Sequence, residues 1–181
     1  MMTTCAHIEL MASYNQWMNF RLYEAAGRLS PQALAADRKA FFGSLLGTLN
    51  HIVVGDTLWL KRFATHPANF TTLDPIRLLP DPSSLDGLLF TDIDALFTRR
   101  KMLDEMIVQW TATLTDENLT SVLRYTSMKG VAARKPFSQL ILHFFNHQTH
   151  HRGQASTLLF QAGIDIGVTD LLALIAEEIN G

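Results

Sequence analysis

The chain has 181 residues, the length of one domain at about 100–200 residues each. Its composition is 48% hydrophobic and 18% charged, enough to bury a core and unlike a disordered chain. Fifteen Lys+Arg against seventeen Asp+Glu leave a net charge of −2, which excludes the concentrated basic footprint expected when nucleic acid is the main partner.

Residues 7–29 place Leu10, Met11, Tyr14, Trp17, Met18, Leu22 and Ala25 at spacings of three and four, the pattern of a helix with one buried face. Ser30-Pro31 reads as an N-cap followed by a first-turn proline, opening a short extra turn. A second helical stripe over residues 41–64 uses Leu45, Leu49, Ile52, Val53, Leu60 and Phe63. Gly43, Gly47 and Gly55 fall inside it, where each costs about 0.8–1.0 kcal/mol relative to alanine in an exposed helix interior. They mark either close helix–helix approach or room beside a site. Pro67, Pro75, Pro80 and Pro82 then define a connection longer than the usual 2–8 or so residues, a crossover or a lid.

A third helix is expected from a cap at Ser83 or Ser84 to about residue 113, with Leu88, Leu89, Ile93, Leu96, Met106 and Trp110 on its apolar face. Residues 120–135 are β-leaning and turn-rich, as in a small hairpin. Pro136 opens a fourth helix reaching about residue 161, with Gly163 as its stop, and Thr169 caps a last helix over about residues 170–178. The expected architecture is all-α, one domain over residues 1–181. It is a four-helix bundle with a long crossover connection, a short hairpin excursion and a C-terminal helix. No apolar run approaches the roughly 20 residues of a membrane span. The first residues lack the basic flank and apolar stretch of a secretory signal, and the single Cys5 forms no internal disulfide. These features lead us to expect a cytoplasmic protein with neither a membrane nor a nucleic-acid partner.

Seven histidines are the most informative feature. His143, His147, His150 and His151 crowd the fourth helix, and two pairs, His143/His147 and His147/His151, have the i,i+4 spacing that puts imidazoles about 5–6 Å apart on one face. The stripe of Leu140, Phe144, Ala155, Leu158 and Leu159 decides between them: His151 projects along it and His147 sits at its edge, whereas His143 and His150 turn toward the polar side. A site with an open position needs three protein ligands. His51, mid-helix among apolar residues, is the best third; His7 and His66, at helix ends, are poorer. Asp56, Asn50 and Gln154 are candidates to orient the imidazoles, and Arg152 reads either as a helix-surface ion pair or as a contact to an acidic substrate. No phosphate loop, paired-cysteine zinc pattern or Gly-x-Ser-x-Gly elbow is present. Gln148 stands where a zincin needs glutamate, the inward glutamates of a di-iron bundle are missing, and Cys5 reads as an inert thiol.

Three segments in order, Tyr14-Asn15-Gln16-Trp17-Met18-Asn19-Phe20-Arg21-Leu22, Gly47-Thr48-Leu49-Asn50-His51-Ile52-Val53-Val54-Gly55-Asp56 and His143-Phe144-Phe145-Asn146-His147-Gln148-Thr149-His150-His151-Arg152-Gly153-Gln154, resemble the DinB/YfiT family. The resemblance implies a four-helix bundle and a divalent metal, zinc or nickel, held by His51, His147 and His151. It also implies a homodimer, and it brings in relatives that use low-molecular-weight thiols as transferases or isomerases. The competing functions are a metal-dependent enzyme, either a thiol S-transferase on a small-molecule substrate or a hydrolase; a non-catalytic metal-binding stress-response protein; and a plain bundle whose histidines are structural.

Overall fold

The structure, a computed structural model, describes residues 4–177. Helix α1 spans Thr4–Ala26 and is followed by the one-turn α2, Pro31–Ala35, whose Ser30 cap accepts from the Ala33 amide. Helix α3, Leu45–Phe63, starts where the Ser44 hydroxyl accepts from the Gly47 amide. A 3-10 turn, Thr71–Leu73, and α4, Asp74–Arg77, interrupt the long connection. Helices α5, Ile93–Thr111, and α6, Asp116–Thr120, precede a two-stranded antiparallel hairpin. Strands β1, Val122–Thr126, and β2, Ala132–Pro136, pair with Arg124 opposite Arg134. Helix α7, Phe137–Gln161, completes the bundle. The packed pairs are α1/α5, α1/α7, α3/α7 and α3/α5, so the long helices run round the bundle in the order α1, α5, α3, α7. The fold is all-α with a short hairpin, as the sequence pattern predicts.

Three boundaries differ from expectation, each for a local reason. Gly43 lies outside α3 in a turn with φ of 72°, so it is a chain-reversal residue and not a helix-packing glycine. Helix α5 begins eight or nine residues later than expected, because Asp92 and not Ser83 or Ser84 supplies the cap, accepting from the Ala95 amide. The stretch before it stays irregular, and Asn50 satisfies its backbone: the Asn50 amide donates to the Phe90 carbonyl at 3.0 Å, and the Phe90 amide donates back to Asn50 Oδ1 at 3.0 Å. The expected last helix is only a 3-10 turn, Leu171–Leu174, with no side-chain cap and with Leu172 exposed. None of its residues is fully buried, so packing does not support a longer helix; its expected end at residue 178 lies outside the described residues.

The core has two parts. Phe63, Phe70, Trp110, Phe137 and Phe144 form an aromatic cluster, with Phe63 and Trp110 stacked at 5.0 Å. The other part is a buried polar layer to which all four long helices contribute. Arg100 pairs with Asp56 and, at 2.9 Å, with Asp104, all three fully or nearly fully buried. Asn15 and Asn19 each donate to Asp104 Oδ1 at 2.9 Å. Arg152, expected on the surface, is 2% exposed and donates to Asn15 Oδ1 while stacking over Tyr14. Two carboxylates and two guanidinium groups thus balance in the interior. Burial, only partly offset by Arg100, pushes the Asp104 carboxyl up to about 6. Removing one partner strands the others. We therefore expect Arg100→Ala to cost about 3–5 kcal/mol in urea unfolding. The cost should be smaller at pH 5 than at pH 8, because a freed carboxyl takes up a proton at the lower pH.

Candidate metal centre

His51 lies at the middle of α3, and His147 and His151 lie one turn apart on α7, the helix packed against it. The sequence singled out these three, and the fold brings them together: His51 Nε2 is 3.2 Å from His147 Nε2 and 3.2 Å from His151 Nε2. The other four histidines stand apart from the group. His143 and His150 are exposed, His7 lies near the start of α1, and His66 is buried and bonded to Ser121 Oγ at 2.7 Å.

Hydrogen bonding sets the protonation of the ring nitrogens. His51 Nδ1 lies 2.7 Å from the Leu85 carbonyl, which only accepts, so the proton is on Nδ1 and Nε2 carries a lone pair. His151 Nδ1 donates to Gln154 Oε1 at 2.8 Å, with the same consequence. Two unprotonated Nε2 atoms therefore face each other at 3.2 Å with no proton to share. Such lone pairs repel unless a cation lies between them. Nitrogens each about 2.0–2.1 Å from a tetrahedral zinc are about 3.3–3.4 Å apart, close to the observed spacing. The donor set and its spacing fit a divalent metal.

The surroundings favour neutral imidazoles. Burial, then the neighbouring His151, His51, His143 and His150, push His147 down to about 3. Burial lowers His51 and His151 as well. Gly55 makes room for His147: a Cβ there would be 2.8 Å from His147 Cε1. Phe42 stacks on His51 at 3.8 Å and meets His151 edge-on at 5.5 Å, covering one side of the group. Phe42 in turn rests over Gly47, where a Cβ would be 2.2 Å from the Phe42 carbonyl oxygen. Two of the three glycines flagged in the sequence thus leave space at or behind the site. The other side opens on a cavity of about 350 Å³ lined by His51, His147, Trp59, Arg62, His143 and Met128.

Of the orienting groups expected, Gln154 contacts a histidine ring. Asp56 is committed to Arg100, and Asn50 holds Phe90. The Leu85 carbonyl and Phe42 were not foreseen, because a backbone carbonyl and an aromatic ring in a loop leave no spacing pattern. Cys5, 3.7 Å from Asp116 Oδ1, has its thiol pushed up by burial and by that carboxylate, consistent with an inert group. No helix among the described residues is long and apolar enough to cross a membrane.

A four-helix bundle with three imidazoles converging between two helices defines a class of histidine-centred bundle proteins. The sequence matches the DinB family model over residues 1–180, and the chain belongs to the DinB family. It is 24% identical over 158 residues to Protein DinB of Bacillus subtilis (strain 168), a match covering 87% of each chain. No solved structure matches it.

Gly55→Ala should gain helix propensity yet push His147 aside. We expect unfolding stability unchanged or slightly higher and zinc affinity at least tenfold lower by competition titration, roughly the effect of disturbing a ligand's support. A histidine held neutral in the folded state below its usual value of about 6.5 opposes folding once the unfolded chain binds the proton. The metal-free protein should therefore lose stability as pH falls from about 6.5 toward 3. His147→Gln should flatten that slope in urea melts run at successive pH values.

Proposed function

We propose that His51, His147 and His151 hold one divalent metal ion, zinc or nickel, and that the chain is a metal-dependent enzyme transferring a small thiol to an electrophilic substrate. The observation that carries this reading is the convergence of the three Nε2 atoms beside an open cavity. A bound divalent cation supplies Lewis acidity, which brings the pKa of a thiol or water toward neutrality. The chain's own residues do the rest. The Leu85 carbonyl and Gln154 keep Nδ1 of His51 and His151 protonated, so that both Nε2 atoms stay available. Phe42 covers one side of the group, and the cavity offers an approach to His51 and His147. Trp59, Leu58 and Met128 offer apolar walls to the body of a substrate. Family membership supports the metal, and the cavity supports a reacting substrate over a closed structural site.

Elemental analysis of untagged protein tests the first half. We expect about one divalent metal per chain, lost in the variant His51→Ala, His147→Ala, His151→Ala; wild-type protein that stays empty after incubation with zinc and nickel would overturn it. Assay of the loaded protein with a panel of small thiols and an aryl halide tests the second half. Turnover abolished in the triple variant is the expected result, and none across the panel would refute thiol transfer.

A further inference from the structure

The cavity beside the histidines continues into a second one of about 640 Å³, the two sharing Leu58, Arg62, Ser127 and Met128. Together they form a groove between α3 and the hairpin, with His51 and His147 at one end. Arg62 stands where the two meet. Its guanidinium packs against the corner formed by the rings of Trp59, at 4.6 Å, and Tyr125, at 5.1 Å, which meet each other edge-on at 5.4 Å. Among the described residues no carboxylate lies within ion-pair distance of it. The neighbouring Lys61 is already paired with Asp81 at 2.7 Å, the one acid lining the groove, whereas Arg124 and Lys129 add further unpaired positive charge.

Packed into the corner of two rings, the guanidinium keeps its fork of N–H donors free of protein partners among the described residues, and that fork fits a planar carboxylate in two parallel hydrogen bonds. Partial burial disfavours this cation, and its partner is missing from the protein. Leu58, Trp59 and Met128 line the groove on the way from Arg62 to the histidines. We propose that Arg62 is the anchor of a carboxylate-binding subsite, and that the groove takes a small organic molecule with a carboxylate at one end and an apolar body reaching toward the histidines. The substrate class rests on the metal-centre reading above, but the subsite itself does not need the metal.

Benzoate and its neutral counterpart benzamide serve as probes, titrated into the metal-free and zinc-loaded protein and followed by the NMR shift of the Trp59 indole. Benzoate should bind at least about tenfold more tightly than benzamide. Arg62→Gln should remove that preference by weakening benzoate far more than benzamide, and Arg62→Lys, which keeps the charge, should retain part of it. Equal binding of the two probes, or a preference that survives Arg62→Gln, would overturn the subsite. If the protein takes up no zinc but still selects benzoate through Arg62, the subsite stands and the metal-centre reading falls.

Discussion

Three imidazole nitrogens meeting in one small volume, two of them with no proton to share, is the constraint around which much of this molecule is arranged. Each ring must be neutral, must present Nε2 and must point at the others, and no ring secures this alone. His51 takes its tautomer from a loop carbonyl, and His151 takes its own from the next turn of its helix. His147 gets its place from an absent side chain, since Gly55 leaves the space its ring fills. Phe42 then presses the His51 ring from behind, and it reaches that position because Gly47 lets its carbonyl pass close to α3. Helix, loop and turn all contribute to one small volume.

Helix α7 serves two interiors at once. His147 and His151 face α3, and their immediate neighbours Gln148 and Arg152, rotated by about 100°, are buried in the polar layer, Arg152 on Asn15 of α1 and Gln148 beside Asp56 of α3. The polar layer is costly to bury, and its opposite charges satisfy each other only if α1, α3, α5 and α7 hold their register. A slip of α7 by one residue would put an arginine at the histidine cluster in one direction, or a histidine among the carboxylates in the other. The buried ion pairs and the candidate metal centre thus specify the same rotation of the same helix.

Much of this was legible in the sequence because it was periodic. The i,i+4 histidines, the apolar stripe that chose between the two pairs, and the buried aspect of His51 all follow from helical geometry. The four long helices and the hairpin were visible for the same reason. What escaped was aperiodic. The start of α5 depended on which of several possible caps had apolar residues behind it to bury. Arg152 looked like a surface residue because its partner, Asn15, is 137 positions away. The Leu85 carbonyl belongs to a segment whose path is dictated by Asn50, a residue that in one dimension is merely a polar helix position.

That segment is pinned to α3 at two points, at residue 85 by His51 and at residue 90 by Asn50. Between the pins no hydrogen bond among the described residues reaches the imidazoles, and the one influence is the Asp86 charge, which favours a protonated His51. An insertion among residues 86–89 would only lengthen a loop tied at both ends, whereas a deletion there would pull on the carbonyl that fixes a ring's tautomer. The tolerance of this stretch to evolutionary change is therefore one-sided: lineages can let it grow, but shortening it detunes a histidine on another element.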